Sequence, residues 1–444
     1  MSILTRICSR TAAAAAICLT SLAGPALATD IQRIVTPGGI EAWLVEEHAI
    51  PIVSIEIGFK GGATLEAPEE AGISTLMMGM LEEGAGDRDA ITFAKAVEET
   101  AARLGFSASR DTVRVSATVL SERRDESLEL LRGALLSPRF DAEPLARVKA
   151  QMISGIRQKE TDPSSLASTT FFKAMFPDDP YGRDRDGTVE TVTSFTAEAL
   201  REAMPRFMNK QHMKVGVVGD ITADELGPVL DRLLGDLPES GPALPGPVEP
   251  VVDGEILVVD FDAPQSEVLY GHLGLVRDDP DFIPAYVMNY ILGGGGFASR
   301  LTVEVREKRG LAYGVYSYLA PLDRAPLYLG GVATANERVA ESIDVIKGEW
   351  RRMAESGVSA DELDRAKRYL TGAFPLRFDS NGKIANYLVG AQLDEMPIDY
   401  IDTRNGLVEA VTVADIQRIA ARLLKEDELR FVVVGKPEGL TASQ

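Results

Sequence analysis

The sequence is poor in the residues that most often hold metals or carry nucleophilic chemistry. Its two cysteines, Cys8 and Cys18, are too few for a Cys-based zinc site or a disulfide framework. Its three histidines, His48, His212 and His272, have no companion at ligand spacing, so each reads as structural or solvated. Positive charge is also in deficit. Lys and Arg number 46 against 67 Asp and Glu, a formal charge of −21, which argues against a nucleic-acid partner. No Gly-x-Ser-x-Gly elbow occurs. The glycine run 293–296 follows an apolar helix instead of a strand and lacks the Gly-Lys-Ser/Thr of a phosphate loop. It reads as a flexible or tightly turned connection. Beyond residue 28, no stretch is apolar and long enough to span a bilayer, so no stable membrane anchor is expected.

What is present begins with a targeting segment. Residues 1–28 carry Arg6 and Arg10, an apolar run over 11–22, and Pro25-Ala26-Leu27-Ala28, the three parts of a secretory signal. Cleavage near Ala28 would remove both cysteines and send a thiol-free chain to the periplasm, as suits an oxidising compartment. Cys18 lies inside the apolar run after Ile17, so lipidation is not indicated.

The remainder has an ordinary globular composition, 45% hydrophobic and 25% charged, and length for two or three domains. A Pro/Gly-rich linker at 237–250 separates an N-terminal domain, 29–236, from a C-terminal domain, 251–444. The two repeat one pattern. Alternating strands are expected at 52–59 and 267–275, then at 113–119 and 327–332, followed by helices at 122–136 and 337–356. Each half closes with a helix (196–207, 413–424) and a β-branched strand (213–220, 429–436). Apolar side chains spaced by three and four add helices at 141–160, 164–176 and 360–378. The expected fold class is α+β: two duplicated domains, each a mostly antiparallel sheet with helices packed on one side. The acid pairs Glu69-Glu70, Glu82-Glu83 and Glu98-Glu99 read as helix-surface charges.

Two blocks carry a family resemblance. Residues 61–66 (Gly-Gly-Ala-Thr-Leu-Glu) lead into 71–85 (Ala-Gly-Ile-Ser-Thr-Leu-Met-Met-Gly-Met-Leu-Glu-Glu-Gly-Ala), and 289–316 contains Arg306-Glu-Lys-Arg-Gly-Leu-Ala-Tyr313. Over about 31–436 the chain resembles the pitrilysin/insulinase-like zinc metallopeptidases, family M16, in their bacterial two-domain form. There the first block carries His-x-x-Glu-His, whose two imidazoles grip zinc from one helix face while the Glu polarises water. Here Thr75 stands at the first His, Met78 at the Glu and Gly79 at the second His. A third ligand would fall near Ala146 or, in a shifted register, Val148. None of these binds zinc, so the resemblance implies no metal and no cofactor in this chain, and no peptide hydrolysis by it alone.

In the second block the resemblance assigns Arg306 and Tyr313 to the pair that contacts substrate backbone and polarised carbonyl. The residues by themselves allow another reading, with Arg306 paired to a nearby acid and Tyr313 packed in the core or on an edge strand. The resemblance further implies that the chain is half of a clamshell around unfolded peptide, its partner a homologous zinc-bearing subunit. The alternative is an inactive peptide-binding or scaffold homodimer.

Overall fold

The computed structural model describes residues 30–440; the signal segment and both cysteines lie outside the described residues. β-Branched residues at alternate positions set the strands. In Thr112–Leu120, for example, Val113, Val115, Ala117 and Val119 all point into the core. The first half contains β1 (Gln32–Val35), β2 (Glu41–Glu46), β3 (Ile52–Lys60), a small ribbon of β4 (Gly84–Ala85) and β5 (Arg88–Asp89), then β6 (Arg103–Ala108), β7 (Thr112–Leu120) and β8 (Met213–Gly219). The second contains β9 (Ile256–Asp260), β10 (Gln265–Leu273), β11 (Ala312–Pro321), β12 (Pro326–Ala335) and β13 (Arg430–Gly435).

The main sheets run in the orders β1-β2-β8-β3-β7-β6 and β11-β12-β10-β13-β9. One pair in each is parallel, β2 with β8 and β9 with β13; the rest are antiparallel. Leaving out β1, the orders and polarities superpose, so β11 at one edge is the counterpart of β6 at the other. Each half buries its own apolar cluster between its sheet and its own helices.

The opposite face of each sheet is covered by a helix from the other half. Helix Pro163–Met175 sets Phe171, Phe172 and Met175 against Leu327, Leu329, Val432 and Val434 of the second sheet. Helix Asn381–Leu393 sets Ala385, Leu388 and Ala391 against Trp43, Val45 and Val218 of the first. Glycines in the strands permit the approach. A Cβ on Gly216 in β8 would stand 2.8 Å from the Ala385 carbonyl oxygen, and one on Gly58 in β3 would stand 2.7 Å from Val389.

Residues 241–255 have no regular secondary structure, yet they are fastened to both halves. Val248 N–H donates to Arg324 O and Val251 N–H to Met175 O, each at 2.8 Å. Arg324 also reaches across the seam. It grips both Asp179 oxygens at 2.7 Å, and its N–H donates to Tyr181 Oη, which donates to Asp111 at 2.6 Å. No helix among the described residues is long and apolar enough to cross a membrane.

Two local expectations need correction. Glu69-Glu70 belong to a 3₁₀ turn, Pro68–Glu70, and Glu82-Glu83 to the turn that follows helix Ile73–Met80; only Glu98-Glu99 lie on a helix, Ala90–Glu99. The reason is local: Pro68 opens a tight turn in which Glu70 folds back toward Ala67 N–H and pairs with Arg206.

Candidate functional site

Helix Ile73–Met80, where the zinc motif is expected, is held at its start by Glu66. This buried carboxylate accepts from Gly72 N–H (2.8 Å), Ser74 N–H (2.9 Å) and Ser74 Oγ–H (2.6 Å), capping otherwise orphaned donors. Burial pushes its pKa up, and these hydrogen bonds oppose the shift. Thr75 Oγ–H donates to Arg185 O at 3.0 Å, tying the helix to the loop before residue 187. Met78 is 1% exposed and belongs to the apolar core. Gly79 is at the surface, and Val148 Cγ1 lies 3.6 Å from where its Cβ would stand.

Of the two positions considered for a third ligand, Val148 is therefore the one facing Gly79. Ala146 is exposed and sits about 200° round the same helix, Ala142–Lys159. A hydroxyl engaged with backbone, a buried thioether, a glycine and a valine offer no donor set for zinc. Among the described residues no group of three or more His, Cys, Asp or Glu could hold a metal.

The histidines are placed elsewhere. His48 is exposed between Asp220 (2.8 Å) and Glu46 (3.4 Å), which raise its pKa. His212 Nε2 lies 2.9 Å from Pro242 O. His272 is buried; Nδ1–H donates to Leu273 O at 2.7 Å and Nε2 accepts from Trp350 Nε1–H at 3.0 Å. That arrangement requires the neutral ring, and burial drops its pKa to about 4.

The second block builds a different surface. Helix Phe282–Asn289 widens into a π-helical turn, Tyr290–Gly294, whose glycines let it press on β11: a Cβ on Gly293 would stand 2.3 Å from Ser317 Oγ. A second π-helical turn, Thr302–Glu307, carries Arg306. Gly310, at φ +61°, donates to Arg306 O and directs the chain into β11, where Tyr313 is 84% exposed. π-Helical turns of this kind recur at functional sites.

The obvious acid for Arg306 is Glu304, but its carboxylate is already engaged. Lys308 and Arg309 donate to it at 2.7 Å, and Arg352 approaches at 3.6 Å. The Arg306 side chain makes no hydrogen bond or ion pair among the described residues. Its guanidinium carbon lies 4.5 Å from the Tyr313 ring centre and 4.7 Å from that of Phe297. The outcome is a cation held between two aromatic rings, its N–H groups and the Tyr313 hydroxyl free to donate to one oxygen.

Phe297 belongs to neither sequence motif; it is 69% exposed in the turn Gly296–Ala298. Its only local signal is an aromatic side chain directly after four glycines. Further along β11, exposed Tyr316 and Tyr318 stack with ring centres 6.1 Å apart.

Residues 43–189 match the insulinase family (peptidase family M16), and residues 194–370 match the peptidase M16 inactive domain. The non-peptidase homolog YmxG of Helicobacter pylori is 27% identical over 88% of this chain and 90% of its own length. The uncharacterized zinc protease YmxG of Bacillus subtilis is 24% identical over 89% of this chain and 96% of its own. A crystal structure of a peptidase M16 inactive domain from Pseudomonas fluorescens superposes with a TM-score of 0.86 at 27% identity, covering 94% of this chain and all of that one. The chain belongs to peptidase family M16, and its sequence contains no His-x-x-Glu-His.

Proposed function

We propose that this chain is the substrate-binding, non-zinc subunit of a heterodimeric periplasmic metallopeptidase. The observation that carries this is the Arg306 side chain, unpaired among the described residues, beside the exposed Tyr313: two donors with no acid of the described residues bonded to them. In the assembled enzyme the hydrolytic metal chemistry belongs to a His-x-x-Glu-His partner. This chain forms half of the chamber, aligns an unfolded peptide, and directs the Arg306 and Tyr313 donors at the scissile carbonyl oxygen as it gains negative charge.

The test is reconstitution. The purified chain alone cleaves no unfolded peptide, and mixing it with a zinc-bearing homologue from the same genome restores chelator-sensitive cleavage. In that mixture Arg306→Ala and Tyr313→Phe each lower turnover, by about 10²-fold for a lost oxyanion donor, without dissociating the complex. Cleavage by the lone chain, or unchanged turnover in both variants, rejects the reading. The stacked Tyr316 and Tyr318 on an edge strand favour one other reading, a peptide-holding homodimer without chemistry; it predicts peptide binding and no cleavage in any mixture.

A further inference from the structure

A cavity of about 210 Å³ opens between helix Pro163–Met175 and residues 182–185, and its chemistry runs against the acidity of the whole chain. Four cations line it, Arg110, Lys159, Arg183 and Arg185, against one carboxylate, Asp184. Ser165, Ser168 and Thr169 join them from one face of helix Pro163–Met175, at spacings of three and four. Part of the charge is answered internally. Lys159 pairs with Asp184 at 2.9 Å and Asp186 at 2.5 Å, Arg185 stands 3.7 Å from Asp186, and Arg183 donates to the Glu66 carbonyl.

Arg110 is left over. Its guanidinium lies 3.8 Å from the centre of the Phe172 ring, and its Nε is buried without a hydrogen-bond partner. Among the described residues its side chain makes no hydrogen bond or ion pair, and the Ser168 and Thr169 hydroxyls are likewise unengaged. The nearby acids Asp184 and Asp111 act on it only at longer range. Stacking on Phe172 accounts for where Arg110 sits but not for the missing acceptor. A buried donor without one is costly, and a cation more so.

We propose that this cavity is an anion site that receives a carboxylate of the bound peptide, with Arg110 as the planar fork and the Ser168 and Thr169 hydroxyls as further donors. The guanidinium fork matches a carboxylate in both plane and spacing. Continuity with the aromatic row points to a peptide as its source: Ala320, two residues beyond Tyr318 on the strand that carries Tyr313 and Tyr316, packs on the apolar cluster that includes Phe172, the ring under Arg110. The assignment rests on the chain being a peptide binder, and it adds the class of peptide: one that presents an acidic side chain or its own C-terminus.

Two measurements on the full chain test it separately from the reconstitution. The first uses N-acetylglutamate alone as the probe. It raises the melting temperature of the wild-type chain but not of Arg110→Gln, with Ser168→Ala as a milder second variant that weakens the effect; no shift in the wild type, or an equal shift in Arg110→Gln, overturns the site. The second compares binding of one unfolded peptide in three forms: neutral and amide-capped, amide-capped with one Glu, and neutral with a free C-terminus. One carboxylate form binds roughly tenfold or more tighter than the neutral peptide, and Arg110→Gln erases that preference. Equal binding of all three, or inorganic phosphate protecting the chain while peptide carboxylates do not, overturns the ligand assignment. A positive N-acetylglutamate result with no cleavage in any mixture would uphold this site and reject the heterodimeric enzyme.

Discussion

Charge placement around Arg306 is decided by its neighbours. Lys308 lies four residues beyond Glu304, one helical turn, and takes that carboxylate with Arg309, so the intervening arginine is left to the rings. Phe297→Ala removes one of the two rings. An exposed cation–π contact is worth about 0.5–1 kcal/mol, so turnover of a reconstituted complex falls roughly twofold to fivefold while the melting temperature of the chain is unchanged. A drop in melting temperature matching the drop in rate would make Phe297 a packing residue instead. His272 supplies a prediction in pH. Its pKa is depressed from 6.5 to about 4 by burial, so the stability due to its neutral ring is complete above pH 6.5 and disappears as pH falls through 4. The amount is about 3 kcal/mol, since every tenfold loss of proton affinity is worth about 1.4 kcal/mol. Denaturant titrations at pH 7 and pH 4 should show the wild type losing about that much more than His272→Gln; equal losses would show that the ring does not titrate with folding.

Among the elements, the exchanged helices depend on strand positions without side chains. Gly216→Val drives a branched side chain toward the Ala385 carbonyl, backbone that cannot swing away, and should cost about 1–3 kcal/mol by denaturant unfolding. Gly390→Ala on the docked helix meets nothing within 4 Å and should be neutral or stabilising by up to about 1 kcal/mol. If both cost the same, close approach is not the reason for Gly216. These elements also mark how far the sequence could be read. Strands such as Thr112–Leu120 and helices such as Ala142–Lys159 lie within a residue or two of where periodicity puts them, because their burial pattern is local. Periodicity shows that Pro163–Met175 has an apolar face but not that this face lies on the sheet of the other half, since the partners are far apart in sequence. In the same way Arg306 and Tyr313 are legible through a contiguous motif. Phe297, an isolated exposed ring, and Arg110, assembled with residues from 159 to 185, are not.

For the molecule as a whole, the reciprocal exchange makes the two sheets one unit. Each half lends the other the cover for an apolar sheet face, and Arg324 fastens the seam through Asp179 and Tyr181. Calorimetry should therefore show a single cooperative transition. Residues 30–236 expressed alone should not fold stably, because Trp43, Val45 and Val218 would face water together with Phe171 and Phe172. Two separated transitions, or a well-folded fragment, would show that the halves are independent.

The burial of Met78 has a consequence for redesign. Met78→Glu alone would place a carboxylate in a sealed hydrocarbon core, and destabilisation of several kcal/mol would precede any gain in metal affinity. Building a metal site on this helix is thus a matter for several concerted changes: the position accepts apolar residues, and a lone carboxylate there is penalised before any ligand joins it.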